Sequence, residues 1–367
     1  AGTYTHNNGT LTFDYSNGAS NGTGNIDVPS GVSFWNVNFV STSYNVNWSL
    51  GAGQAITVLN NFTQKRVGAG LVTINNGTIY VAKDLYIGDG AAGGSATIEL
   101  NQAGNQYYYN TGTGYLPTLK INKPSESLSP DVSSTNLSIQ ALYLLSGELV
   151  APTGIFRIIK TAAFTTTVFQ YTAGTYTHNN GTLTFDYSNG ASHGTGNIDV
   201  PIGISFWNLN FATTLYNATW TLGAGQTINV QNNYTQKRVS GGNSVTVNNG
   251  IIYIAKDITV EAGANGGSTA LVLNGTGNQT FTSAAGTVPG GTWTIDKTSG
   301  SFILANNLSL STAGQDLTIN QGTVDLNGNI LTVNDYLTIN ASGMLTVNGG
   351  SFSPNTLPKF VNNGTLN

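Results

Sequence analysis

AGTYTHNNGTLTFDYSNGAS, residues 1–20, returns letter for letter as residues 173–192. The offset is 172 (173 − 1), and the match continues with drift: Asn25-Ile26-Asp27-Val28-Pro29 answers Asn197-Ile198-Asp199-Val200-Pro201, and Phe34-Trp35-Asn36 answers Phe206-Trp207-Asn208. Trp48 and Gln64-Lys65-Arg66 recur as Trp220 and Gln236-Lys237-Arg238. An insertion then shifts the offset to 173, so Lys83-Asp84 answers Lys256-Asp257. Self-similarity on this scale marks a repeat architecture. Within the repeated stretch, Leu11-Thr12-Phe13-Asp14-Tyr15 alternates apolar and polar residues with a period of two, the signature of a strand with one buried face.

The same alternation runs through Val46–Leu50, Ile56–Val58, Val72–Ile74, Ala96–Leu100, Leu317–Asn320 and Leu331–Asn334. Asn-Gly, Gly-Ala-Gly and Asn-Gly-Thr breaks separate these runs, and such residues supply the positive φ that tight turns need. Helical periodicity is missing, so the chain reads as all-β. A string of β-sandwiches would need hairpins, two alternating runs joined by two-residue turns. Here the runs are brief and the breaks often longer, which favours a parallel β-helix (β-solenoid). Coils of roughly 20–25 residues would give about 15–18 turns, with Asn-Asn-Gly at 7–9, 75–77, 179–181, 248–250 and 362–364 as stacked corners. Two homologous units are expected, 1–172 and 173–367, the second continuous with the first.

Composition narrows the function. Charged residues are only 8 % of the chain, against about 25 % in ordinary domains, while Asn, Thr and Ser supply polarity without charge. With 10 % aromatics the chain is unlike a disordered segment. Its net charge of −4, with no basic run beyond Lys65-Arg66 and Lys237-Arg238, argues against nucleic acid as a partner. No apolar stretch approaches the roughly 20 residues of a membrane span. Cysteine is absent, so disulfides, zinc–thiolate sites and cysteine catalysis are excluded. The start at Ala1 suggests a removed leader or excision from a precursor. Asn362-Asn363-Gly364-Thr365-Leu366 repeats Asn7-Asn8-Gly9-Thr10-Leu11, as though a third copy were beginning.

A β-helix enzyme would need converging carboxylates or a calcium site. Most charged residues here are instead duplicated: Asp14/Asp186, Asp27/Asp199, Asp84/Asp257, Lys65/Lys237, Arg66/Arg238 and Lys83/Lys256. Residues kept in both copies answer a demand of the coil better than a demand of catalysis. Asp316, Asp325 and Asp335 are unduplicated and would matter if they stacked on one another. His6 and His178 have no nearby nucleophile for a triad and read as turn residues. Trp48 shares phase with Val46 and Leu50 and should point inward, whereas Phe34 and Trp35 must face opposite sides. Asn8, Asn47, Asn61, Asn136, Asn217, Asn233, Asn307 and Asn340 head glycosylation sequons. No catalytic, cofactor or metal residues are assigned.

Thr-His-Asn-Asn-Gly-Thr-Leu-Thr-Phe (5–13, 177–185), Gly-Asn-Gln-Thr-Phe (277–281) and Ser-Phe-Trp-Asn-Val-Asn-Phe (33–39) resemble the repeats of large bacterial cell-surface β-solenoid proteins, similar to filamentous-haemagglutinin and autotransporter stalks. The resemblance implies a parallel β-helix, export to the cell surface, and a structural or adhesive role. The expected function is therefore an extracellular structural protein, a segment of a surface fibre, filament or adhesin stalk. It would self-associate head-to-tail through Phe360, Asn362, Asn363 and Leu366 at one end and Tyr4 and Leu11 at the other. Cell-surface or environmental polysaccharide is the expected further partner. A carbohydrate-active β-helix enzyme or a carbohydrate-binding module is the alternative; ice binding would need a regular Thr-x-Thr array that the sequence does not sustain.

Overall fold

A computed structural model describes residues 4–16, 18–29, 31–161, 166–188, 193–241, 243–354 and 359–367. It is a β-solenoid of about 14 turns. The described residues hold strands, turns and bends, with no helix. Each ladder described here is parallel, which rules out the hairpins of a sandwich. The chain forms two compact units, residues 1–159 with 168–181, and residues 160–167 with 182–367.

In the first unit, strand Thr10–Tyr15 lies on Asn36–Ser41, with Thr10 against Asn36, so the coil-to-coil step there is 26 (36 − 10). Phe62–Arg66 follows, then Leu85–Ile87, where Phe62 meets Leu85 at a step of 23 (85 − 62). The step falls to 19 between Thr78 and Thr97 (97 − 78) and rises to 27 between Glu148 and Thr175 (175 − 148). In the second unit it shrinks from 26 at Thr182/Asn208 (208 − 182) to 20 at Leu317/Leu337 (337 − 317). The opening coils of both units are thus longer than the sequence pattern suggests, which is why there are fewer turns than expected.

Period-two alternation turns each strand's apolar residues inward, and the parallel register stacks them into columns. Val37, Phe62, Leu85 and Tyr108 form one column, Leu209, Tyr234, Ile258, Phe281 and Leu304 another, and every member is fully buried. Each large apolar side chain so placed contributes roughly 1.5–3 kcal/mol. The widest rings lie beside glycines. A Cβ on Gly24 would sit 2.1 Å from the Trp48 ring, and one on Gly194 would sit 2.3 Å from Tyr187. Trp48 packs on Phe13 and Phe39, and its counterpart Trp220 is 1 % exposed, so both point inward as their phase requires.

The Asn-Asn-Gly motifs are corners. Asn7 and Asn8 have φ of 44° and 56°, Asn179 and Asn180 of 48° and 56°, and Asn76-Gly77 and Asn249-Gly250 repeat the left-handed geometry. Asparagine and glycine tolerate this conformation where β-branched residues do not.

Candidate functional site

The duplicated acids are engaged in hydrogen bonds to the next coil. Asp84 Oδ1 accepts the Tyr107 backbone N–H at 2.8 Å, and Asp257 Oδ1 accepts that of Thr280 at 2.8 Å. Asp14 accepts the Thr42 hydroxyl at 3.1 Å, as Asp186 accepts that of Thr214 at 3.1 Å. Asp27 accepts from the amide of Gln54, and Asp199 from that of Gln226. Asparagines continue the pattern. Asn36 donates to Thr10 Oγ1 at 3.1 Å and accepts from Asn60 Nδ2 at 2.9 Å, and Asn208 does the same with Thr182 and Asn232 at 3.2 and 2.8 Å. Net worth per bond is about 1 kcal/mol. Repetition along the corner makes it a seam.

Several of the sequon asparagines sit in the same seams. Asn61, Asn217, Asn233 and Asn307 accept the backbone N–H of Asp84, Ser244, Asp257 and Ile330 respectively.

The basic pairs face acids on the following coil. Lys237 lies 3.8 Å from Glu261. Asp89 is held below the usual carboxylate range by the N–H and hydroxyl of Thr113 and, less, by the charge of Arg66. Gly88 leaves room for the basic side chain below it, because a Cβ there would come within 2.7 Å of Lys65.

A polar centre that the alternation could have announced lies inside the coils. Lys123 shares phase with Leu119 and Ile121, and Lys297 with Trp293 and Ile295, so both turn inward; they are 0 % and 1 % exposed. Lys297 Nζ donates to the carbonyls of Gly275 (2.6 Å) and Gly277 (2.8 Å) and to Gln279 Oε1 (2.7 Å). Lys123 Nζ makes the matching bonds to Gln102, Gly104 and Gln106 Oε1 at 2.8, 2.8 and 2.5 Å. Both glutamines pass the connection to an earlier coil: Gln279 donates to Ile254 and Lys256, Gln106 to Val81 and Lys83. Three acceptors match the three donors of an ammonium. Burial lowers Lys297 to about 8. It also lowers Lys123, against an opposing pull from Glu126. The repetition of the whole network in each unit, with every lysine proton matched, makes it a structural tie between coils.

The histidines close turns. His6 Nδ1 accepts the Asn8 N–H at 3.0 Å, His178 Nδ1 that of Asn180 at 3.0 Å. Trp35 faces outward and stacks on His6 (centroids 5.7 Å, 20°), while Phe34 is buried. Outward tyrosines are concentrated in the first unit: Tyr86 and Tyr109 occupy matched positions on adjacent coils with rings 4.4 Å apart and 5° from parallel.

The unduplicated acids do not stack. Leu317 is paired with Leu337, which places Asp316 against Tyr336, whose N–H it accepts at 3.1 Å, and not against Asp335. Asp325 pairs with Ile303 and Thr346. Among the described residues no group of three His, Asp or Glu side chains could hold a metal ion, and no helix is long and apolar enough to cross a membrane. A cleft of about 270 Å³ is lined by Asn25, Asp27, Ser49, Gln54 and Asn76, with Asp27 already engaged by Gln54.

Of the sequence-derived interface residues, Tyr4 and Leu11 lie in the first unit, Phe360, Asn362, Asn363 and Leu366 in the second. Tyr4 is 52 % exposed and tilts against Phe34; Leu11 is half-buried. Phe360 is 44 % and Leu366 49 % exposed, and both Asn362 and Asn363 are exposed. No protein-family model matches the chain, and no match appears among curated proteins or solved structures.

Proposed function

We propose that this chain is an extracellular structural protein, a β-solenoid segment of a surface fibre, filament or adhesin stalk that stacks head-to-tail. One observation carries the reading: the carboxylates kept in both copies, the residues from which a hydrolase or lyase would draw its acid and base, bond to the neighbouring coil in each copy. The low charge and the resemblance to bacterial surface repeats support it. The force-bearing element is the parallel ladder, and apolar columns fill the coil interior. Tyr4 and Leu11 at one end and Phe360, Asn362, Asn363 and Leu366 at the other are the proposed stacking residues. Exposed strand edges are ready templates for a further strand.

Negative-stain electron microscopy of the purified chain tests this. Uniform fibres that disappear when residues 360–367 are removed support the stacking. Fibres of unchanged length after that truncation would sink it, and cleavage of a polysaccharide by the purified chain would replace the structural reading with an enzymatic one.

A further inference from the structure

We propose that Tyr86 and Tyr109 are a preorganised site for oxidative cross-linking, in which a dityrosine bond joins adjacent coils of the first unit. The pair is built by register. Leu85–Ile87 and Gln106–Asn110 are parallel neighbours, and Tyr86 lies directly against Tyr109. Leu85 and Ile87 point inward on one strand and Tyr108 on the other, so both tyrosines project outward and are half-exposed. Their rings stack at 4.4 Å and 5°.

The second unit shows that the solenoid does not require this pair. At the offset of 173, Lys83-Asp84-Leu85-Tyr86-Ile87 becomes Lys256-Asp257-Ile258-Thr259-Val260, and Tyr107-Tyr108-Tyr109 becomes Thr280-Phe281-Thr282. Thr259 and Thr282 are paired in the same register that Tyr86 and Tyr109 occupy. The inward residues stay apolar while the outward pair changes from two threonines to two tyrosines. The two phenols are therefore free to serve something other than the coil.

The chemistry balances with an external phenol oxidant, a haem peroxidase with hydrogen peroxide. Each phenol loses one electron and one proton, giving two phenoxyl radicals. The radicals join through ring carbons ortho to oxygen, and each of those carbons then releases its proton as the ring recovers aromaticity and its hydroxyl. The sum is two tyrosines and one peroxide giving one dityrosine and two waters. Holding the rings together makes the coupling effectively unimolecular, which favours it over encounters between molecules. The product would be a covalent strut between coils in a chain that has no cysteine to make one.

The test is peroxidase and peroxide applied to dilute full-length protein. Expected are dityrosine fluorescence in the monomeric fraction, a mass lower by two hydrogens, and one cross-linked peptide containing residues 86 and 109. Tyr86→Phe and Tyr109→Phe, which keep the stacked rings, should each remove that product. Equal monomer fluorescence in either variant overturns the proposal, as does coupling that appears only between molecules or maps to other tyrosines among the 17. The oxidant is supplied, so the outcome does not depend on the fibre reading.

Discussion

Thr10–Tyr15 and Thr182–Tyr187 are the same six residues, TLTFDY, in two settings. In the second, Leu183 is 2 % exposed and Phe185 and Tyr187 are fully buried. In the first, Leu11, Phe13 and Tyr15 are only half-buried. Both strands pair in identical register with the coil that follows, Thr10 with Asn36 and Thr182 with Asn208. Alternation and turn residues therefore decide which side of a strand faces inward, while the cover over that side is set by what surrounds it. Truncating the same ring in both places is the largest test. Phe185→Ala should cost about 3–5 kcal/mol in urea unfolding, and Phe13→Ala well under half of that. Equal losses would mean that the first strand is as well covered as the second.

The buried lysines are common to both units, so their removal should hurt both alike. Lys297→Ala strands the Gly275 and Gly277 carbonyls, while the Gln279 oxygen keeps the Gly275 N–H, and each stranded acceptor costs about 1–3 kcal/mol. A loss of about 2 kcal/mol or more is expected, with a similar loss for Lys123→Ala. A loss below about 1 kcal/mol in either would show that the network does not hold the coils.

These lysines also fix a pH signature. Lys297 and Lys160, the latter buried at the end of strand Ile155–Lys160, are lowered by burial to about 8, below the ordinary 10.5, so between those values the unfolded chain binds more protons than the folded one. Stability should rise with pH across that window, by up to about 3 kcal/mol per lysine at about 1.36 kcal/mol for each pH unit. Tyr176 and Tyr234 act in the opposite sense. Burial raises both, so above pH 10 the unfolded chain loses phenol protons that the folded chain keeps, and stability falls. A chemical-denaturation series from pH 7 to 11 should show a maximum near 10. A monotonic fall from pH 7 would contradict the lysine assignment.

The smallest contrast is one hydroxyl. Tyr234 donates to Gln236 Oε1 at 3.3 Å, but its counterpart is Phe62, and Gln64 Oε1 is buried without a protein partner. Tyr234→Phe should cost about 1 kcal/mol, and Phe62→Tyr should recover a similar amount in the first unit. A loss from Phe62→Tyr would mean that the column there has no room for the oxygen.

Much of this was legible in the sequence. The alternation of Leu11 to Tyr15, the inward phase of Trp48 and the corner at Asn75-Asn76-Gly77 follow from period and turn chemistry, which are local. Lys123 shares phase with Leu119 and Ile121, a signal that sequence reasoning missed, and its partners Gln102 and Gly104 come from another coil, which no local pattern names. Coil length escapes the local pattern because corner loops vary without changing the strands. The pairing of Tyr86 with Tyr109 depends on a coil-to-coil step of 23 (109 − 86) that appears only once the coils are stacked.

The central claim is that the acids kept in both copies serve the coil as hydrogen-bond acceptors. Thermal unfolding of Asp84→Asn/Asp257→Asn beside Asp84→Ala/Asp257→Ala tests it directly. Asparagine keeps an oxygen for the Tyr107 and Thr280 N–H groups, so the asparagine variant should melt close to the unmodified chain. The alanine variant should lose about 1–3 kcal/mol for each stranded N–H. If asparagine destabilises as much as alanine, or alanine not at all, the carboxylates are there for something other than the coil.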